Sequence, residues 1–215
     1  MASIPLKAEY GPTLGQLLRE RWHASPRWLQ ALVVVALGGL VVIAVGLALT
    51  LERASYSQAG AVPFSFEYRG LYRATPAPGG YVKVQRVSGG VLLDSFEVAP
   101  LELPAYQGNL SGELPLYAAS YIHALESRDP DFDLLSEGKT RISTVPGYTI
   151  FYTTRMDGRE MYGRDVLLLP EKSGVRKGVD IKMLTSPHAN SQVKSGLEVA
   201  SAGVLNTALH TFEFG

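Results

Sequence analysis

The longest hydrophobic feature of the chain has no polar phase: residues 29–51 carry no charged side chain, and Gln30 at their edge is the one strongly polar member. At about 1.5 Å per residue this run extends roughly 35 Å, enough to cross a hydrocarbon core of about 30 Å, so one transmembrane helix is expected there. Beyond it the pattern changes to period two. Phe64-Ser65-Phe66-Glu67-Tyr68 alternates apolar and polar residues, and residues 81–87 and 91–98 read as two strands joined by Ser88-Gly89-Gly90. A loop over residues 100–112 leads to Leu114, Tyr117, Ala118, Tyr121, Ile122 and Leu125, which recur on one side of a helix that Asp129-Pro130 stops. Four strands are expected next, over residues 132–142, 147–155, 159–169 and 179–185. Asp157-Gly158 joins the second and third as a type I′ hairpin. Val179, Ile181 and Met183 alternate with Asp180 and Lys182, which predicts a strand with one buried face. After Pro187 a weaker helix carries Val193, Leu197, Ala200 and Val204, and Phe212-Glu213-Phe214 forms a last short strand.

These elements divide the chain into a cytoplasmic segment (1–28), a transmembrane helix (29–51), a small polar tether (52–62) and a folded domain (63–215). Lys7, Arg19, Arg21 and Arg27 precede the span and only Arg53, beside Glu52, follows it, so the positive-inside bias places the N-terminus in the cytoplasm and the domain outside the plasma membrane. Trp22 and Trp28 mark the inner interface, and Ser25-Pro26 suits a helix start. Thr13 and Gln16 read as a capping box, with Leu14, Leu17, Leu18 and Trp22 on one face of a short amphipathic helix. The run is longer than the apolar region of a cleaved signal peptide and starts later, which favours a lasting anchor.

Composition narrows the chemistry. Twenty basic side chains balance 20 acidic ones among 215 residues, so nucleic acid is not an expected partner, and with no cysteine there is no disulfide, thiolate nucleophile or lipidated anchor. Asp129, Asp131 and Asp133 have the opening spacing of a calcium loop, but Leu134 stands where its glycine belongs and Thr140 where its bidentate glutamate belongs. Gly138-Lys139-Thr140 resembles the end of a phosphate loop whose first glycine is replaced by Asp133. His23, His123, His188 and His210 lack the spacing of a zinc site, and no Gly-x-Ser-x-Gly elbow is present. No catalytic residue, metal ligand or cofactor is nominated. Tyr117 and Tyr121 on the helix stripe, with Tyr148 and Tyr152 on one face of a strand, either line a pocket for a small apolar ligand or pack at the helix–sheet boundary with hydroxyls reaching water.

Three stretches carry a resemblance: Pro63-Phe64-Ser65-Phe66-Glu67-Tyr68, Glu137-Gly138-Lys139-Thr140 leading to Val145-Pro146-Gly147-Tyr148, and Leu209-His210-Thr211-Phe212-Glu213-Phe214. Together they resemble PsbP-like domains, a group that includes bacterial envelope proteins of the LpqN type, over nearly all of residues 63–215. The resemblance implies the α+β class: an antiparallel sheet flanked by helices in an α/β/α sandwich. It implies partner binding without shared catalytic residues. The expectation is therefore a single-pass envelope protein, not an enzyme, held in the bilayer by residues 29–51, whose outer domain binds or stabilises a protein partner. The alternative is a module that binds a small apolar ligand at the four tyrosines.

Overall fold

A computed structural model describes residues 26–104, 110–170, 176–187, 189 and 192–215. The amphipathic helix expected near Thr13, Trp22 at the inner interface and His188 lie outside these residues. By internal contacts the chain divides into Met1–Leu49 and Thr50–Gly215.

Helix α1, Arg27–Leu51, follows Pro26, whose carbonyl accepts from the Leu29 amide at 2.9 Å. Proline cannot extend a helix upstream through its own nitrogen, so it sits naturally at this boundary. Leu32, Leu40, Val41, Val42 and Ile43 are all largely exposed, and the stretch Arg27–Ala48 has a mean hydropathy of 2.8. A helix apolar all round finds its low-energy surroundings in lipid. Its length and composition suffice to cross a membrane, and a signal sequence near the N-terminus passes the same test.

Residues 53–58 form strand β1, Arg53–Gln58, where a tether was expected. It pairs antiparallel with β2, Phe64–Arg69, from Arg53↔Arg69 to Gln58↔Phe64. The polar composition conceals the strand because one side chain anchors it: Tyr56 packs at 6.0 Å from the Phe64 ring and 5.7 Å from Phe66. β10, Glu213–Phe214, pairs on the other side of β2 and completes a three-stranded sheet in the order β1-β2-β10. The Thr211 hydroxyl extends that pairing, accepting from the Glu67 amide at 2.8 Å.

The main sheet has seven strands: β3 (Arg73–Thr75), β4 (Val82–Ser88), β5 (Val91–Glu102), β6 (Asp133–Ile142), β7 (Val145–Met156), β8 (Arg159–Leu168) and β9 (Lys177–Thr185). Their order is β3-β4-β5-β9-β8-β7-β6, antiparallel throughout. Both glycine hairpins form as expected: Gly89 and Gly90 have φ of 57° and 81°, and Asp157 and Gly158 have φ of 52° and 74°, as a type I′ turn requires. The expected loop after residue 100 starts later, because Pro100, Leu101 and Glu102 continue β5 opposite Val179, Gly178 and Lys177. Pairing with β4 has ended at Val98, so the missing proline N–H faces a side with no strand.

Helix α2, Leu110–Arg128, covers one face of this sheet, where Leu114, Ala118 and Ile122 meet Tyr148, Ile150, Tyr152, Leu167 and Leu169. On the other face Val84, Phe96, Val166, Leu168, Ile181 and Met183 pack with Phe64, Phe66, Phe212 and Leu209. The second face is thus closed by the small sheet together with the short helix α3, Asn206–His210. The helix expected after Pro187 reduces to one 3-10 turn, Gly196–Glu198. Ala200 at φ 59° and Gly203 at φ 81° adopt left-handed backbone that ends a right-handed helix, and Val199 and Ala200 are buried instead.

Candidate functional site

Two aspartates are buried in interior strands of the main sheet. Asp165 interrupts β8 and Asp180 interrupts β9, and both side chains are buried on the α2 face. β8 pairs with β9 through Asp165↔Lys182 and Leu167↔Asp180, so the carboxylates are diagonal neighbours on one surface of the sheet. The one-faced reading of β9 is corrected here: Asp180 and Lys182 alternate away from the Ile181 core, but α2 lies over Asp180, which is only 4% exposed.

Tyr121 descends from α2 between the two acids. Its hydroxyl lies 2.7 Å from Asp165 Oδ2 and 2.9 Å from Asp180 Oδ2. From β7, the Tyr152 hydroxyl reaches Asp165 Oδ1 at 3.1 Å. Room for the Tyr152 ring exists because Gly163 faces it; a Cβ there would lie 2.3 Å from the ring. Lys182 Nζ stands 3.6 Å from Asp180 Oδ2, and Asp180 Oδ1 is buried with no hydrogen-bond partner among the described residues.

Burial is the first cause that raises both carboxyls well above the ordinary aspartate range, since a charge in this interior loses its water. For Asp165 the charge of Asp180 adds to the rise, while Tyr121 and Lys182 oppose it. For Asp180 Lys182 is the main opposing influence. The Tyr121 and Tyr152 phenols are driven upward by burial and by the neighbouring carboxylates, so both remain hydrogen-bond donors at any physiological pH.

Three of the four sequence-nominated tyrosines come together. Tyr121 and Tyr152 converge on Asp165, and Tyr117 stacks on Tyr121 with ring centroids 6.3 Å apart. Tyr148 shares the strand face of Tyr152 but hydrogen-bonds Glu137 on the edge strand. None of the four lines the open cleft of about 490 Å³, whose walls include Val62, Pro63, Ser143, Val145, Pro170 and Phe214. The sequence reading missed Asp165 and Asp180. The available signal was an acid directly before the apolar run Val166-Leu167-Leu168-Leu169, a position that a strand covered on both faces makes costly.

Two further buried clusters act as fasteners. Asp94 accepts from Arg86 Nε at 2.7 Å and from the Thr185 hydroxyl at 2.5 Å, tying β4 and β9 to β5, and the Tyr72 hydroxyl is buried without a hydrogen-bond partner among the described residues. Arg164 donates to Thr149 Oγ1 and to the Val199 carbonyl, both at 3.1 Å, and its guanidinium lies 4.8 Å from the Phe151 ring centroid. That arginine holds the segment after the 3-10 turn against the sheet. Asp129, first of the three aspartates with calcium-loop spacing, accepts from the Asp131 amide at 3.0 Å and from the Thr154 hydroxyl, closing the turn after α2. Lys139 and Thr140 lie within β6, so no helix N-terminus follows them to receive a phosphate.

No protein-family model matches the chain, and no curated protein sequence does either. Solved structures do. The solution structure of cyanobacterial PsbP (CyanoP) from Synechocystis sp. PCC 6803 aligns over 77% of this chain and 94% of its own, with a TM-score of 0.50 and 16% identity. The crystal structure of LpqN, involved in cell envelope biogenesis of Mycobacterium tuberculosis, aligns over 76% of this chain and 91% of its own, with a TM-score of 0.52 and 6% identity. Identities this low speak for the fold alone, and the fold of this chain is PsbP-like.

Proposed function

We propose that the chain is a single-pass plasma-membrane protein, N-terminus inside, that holds its PsbP-like unit in the cell envelope to bind a protein partner, not to catalyse a reaction. The observation that carries this reading is the open edge of the main sheet. β6 is 10 residues long and, among the described residues, pairs on one side only, with β7, in a register that shifts between Leu134 and Ser136. Leu134 and Leu135 are exposed on it at 37% and 40%, and Leu197 is exposed next to Gly196, against which Leu135 lies. A long edge with apolar side chains is a template for one more strand, where backbone hydrogen bonds give affinity and side-chain pockets give selectivity. The occupant that fits is an extended segment of another envelope protein. The structural likeness to LpqN, a protein described as involved in cell envelope biogenesis, supports the location. Among the described residues no three His, Cys, Asp or Glu side chains gather to hold a metal.

Because the chain has no cysteine, a single one introduced at exposed Ser136 in β6 is a clean reporter. A membrane-impermeant maleimide crosslinker added to intact cells is expected to label S136C before lysis and to join it to one discrete partner. Leu135→Lys in the same chain should abolish the adduct without abolishing labelling. Labelling only after lysis overturns the orientation, and an adduct indifferent to Leu135→Lys overturns the edge as the docking surface.

A further inference from the structure

The cluster beneath α2 can be read by counting hydrogens. Three oxygen–oxygen contacts at hydrogen-bond distance link Tyr121 to Asp165, Tyr121 to Asp180 and Tyr152 to Asp165. Each contact needs one hydrogen between its oxygens. Two phenols supply two, and a phenol donates only once. The third hydrogen has to come from a carboxyl group. If both aspartates were ionised, one phenol oxygen would face a carboxylate at under 3 Å with no proton between them.

We propose that Asp165 and Asp180 form a buried proton-binding site: one proton resides on Asp165, and its release loosens the seating of α2 on the sheet. In this arrangement Asp165 Oδ2–H donates to the Tyr121 oxygen, Tyr121 donates to Asp180 Oδ2, and Lys182 faces the Asp180 charge. Tyr152 donates to the remaining Asp165 oxygen. The assignment follows the cation, since Lys182 Nζ lies at salt-bridge distance from Asp180. Every element packed on the pair contributes. Tyr117 and Tyr121 come from α2, Tyr152 from β7 with Asp129 beyond it, Lys182 from β9, and Glu97 from β5, itself paired with Lys83 at 3.5 Å. A second negative charge at Asp165 would therefore face the Tyr121 oxygen with no proton between them and stand beside the charged Asp180 carboxylate.

The folded chain binds this proton more tightly than the unfolded one does. Its contribution to stability is therefore complete below the ordinary aspartate value near 4 and is lost as pH rises to about 7, the folded value for Asp165. One proton of difference makes the folding equilibrium constant fall about tenfold per pH unit inside that window. Asp165→Asn keeps three hydrogens for three contacts, because the amide can donate to Tyr121 and accept from Tyr152.

The test uses the full chain in detergent. Urea unfolding from pH 5 to 7 should show the wild type losing about 50-fold in folding constant relative to Asp165→Asn, whose profile lacks this component. Parallel profiles for the two chains overturn the proposal. Should Asp165→Asn fail to fold, carbon-13 detection of the aspartate carboxyls in the wild type decides: one is expected to titrate about three pH units above the ordinary range, and a full set of ordinary midpoints overturns it. Hydrogen exchange of α2 amides, corrected for the intrinsic rate, should lose protection over the same window while β4 does not; an α2 whose protection stays level with that of β4 overturns the coupling to α2.

Discussion

Adding one methyl group at Gly178 or at Gly138 should have opposite consequences, although both glycines lie within strands. In β9, a Cβ at Gly178 would stand 2.0 Å from the Leu168 carbonyl oxygen and 3.1 Å from the Leu169 Cα. The optimum for such contacts is about 3.5 Å, so atoms have to move by more than an ångström. The atoms in the way belong to backbone, and the flanking side chains of Leu168 and Leu169 are fully buried, so no flexible tip can swing aside. Overpacking costs about 1–3 kcal/mol, and displacing a paired carbonyl adds about 1 kcal/mol. Gly178→Ala is thus expected to cost about 3 kcal/mol, a fall in Tm of roughly 6–12 °C for a unit of this size. At Gly138, in the edge strand, nothing lies within 4 Å of the added methyl. There the substitution removes unfolded-state freedom, and Gly138→Ala should be neutral or stabilising by up to about 1 kcal/mol. Thermal unfolding of the detergent-solubilised chain, followed by near-UV tyrosine dichroism, separates the two cases. Both tryptophans, Trp22 and Trp28, precede the PsbP-like unit, so the tyrosines report on it. If Gly178→Ala unfolds within about 2 °C of the wild type, or Gly138→Ala is equally damaging, the packing of β8 against β9 described above is wrong.

Phe66 is 1% exposed and its ring centroid lies 4.9 Å from that of Phe96, so it joins the small sheet to the large one. Phe66→Ala should cost about 3–5 kcal/mol, read as a lower urea midpoint. The anchor makes a separate prediction: alkaline extraction of membranes should leave a chain of unshortened mass in the pellet, and a shortened chain in the supernatant would identify α1 as a removed signal sequence.

Local pattern was enough to place most elements. The period-two runs, the Gly89-Gly90 and Asp157-Gly158 turns and the α2 stripe all refer to neighbours a few residues away, and each is where its residues predict. β1 was missed because an edge strand whose large apolar side chain is Tyr56 leaves no apolar alternation in its sequence. The helix expected after Pro187 failed for the opposite reason. Val193, Leu197, Ala200 and Val204 keep an apolar spacing, but the chain turns left-handed at Ala200 and Gly203, packing Val193, Ala200 and Val204 on the core and leaving Leu197 exposed.

The sequence by itself determined the apolar helix, most of the strands, the antiparallel α+β class and the absence of cysteine chemistry. These are short-range or compositional properties, written in residues that act on their immediate neighbours. Only the tertiary structure decided that β9 returns between β5 and β8, from Asp94↔Thr185 to Glu102↔Lys177 on one side. That placement makes β8 and β9 interior strands covered on both faces, turns Asp165 and Asp180 from ordinary polar positions into buried acids, and leaves β6 as the open edge. Strand order depends on contacts across most of the domain's length. The environment that sets a carboxyl's proton affinity is supplied by α2, β7 and β5, so Asp165 could not be recognised from the residues beside it.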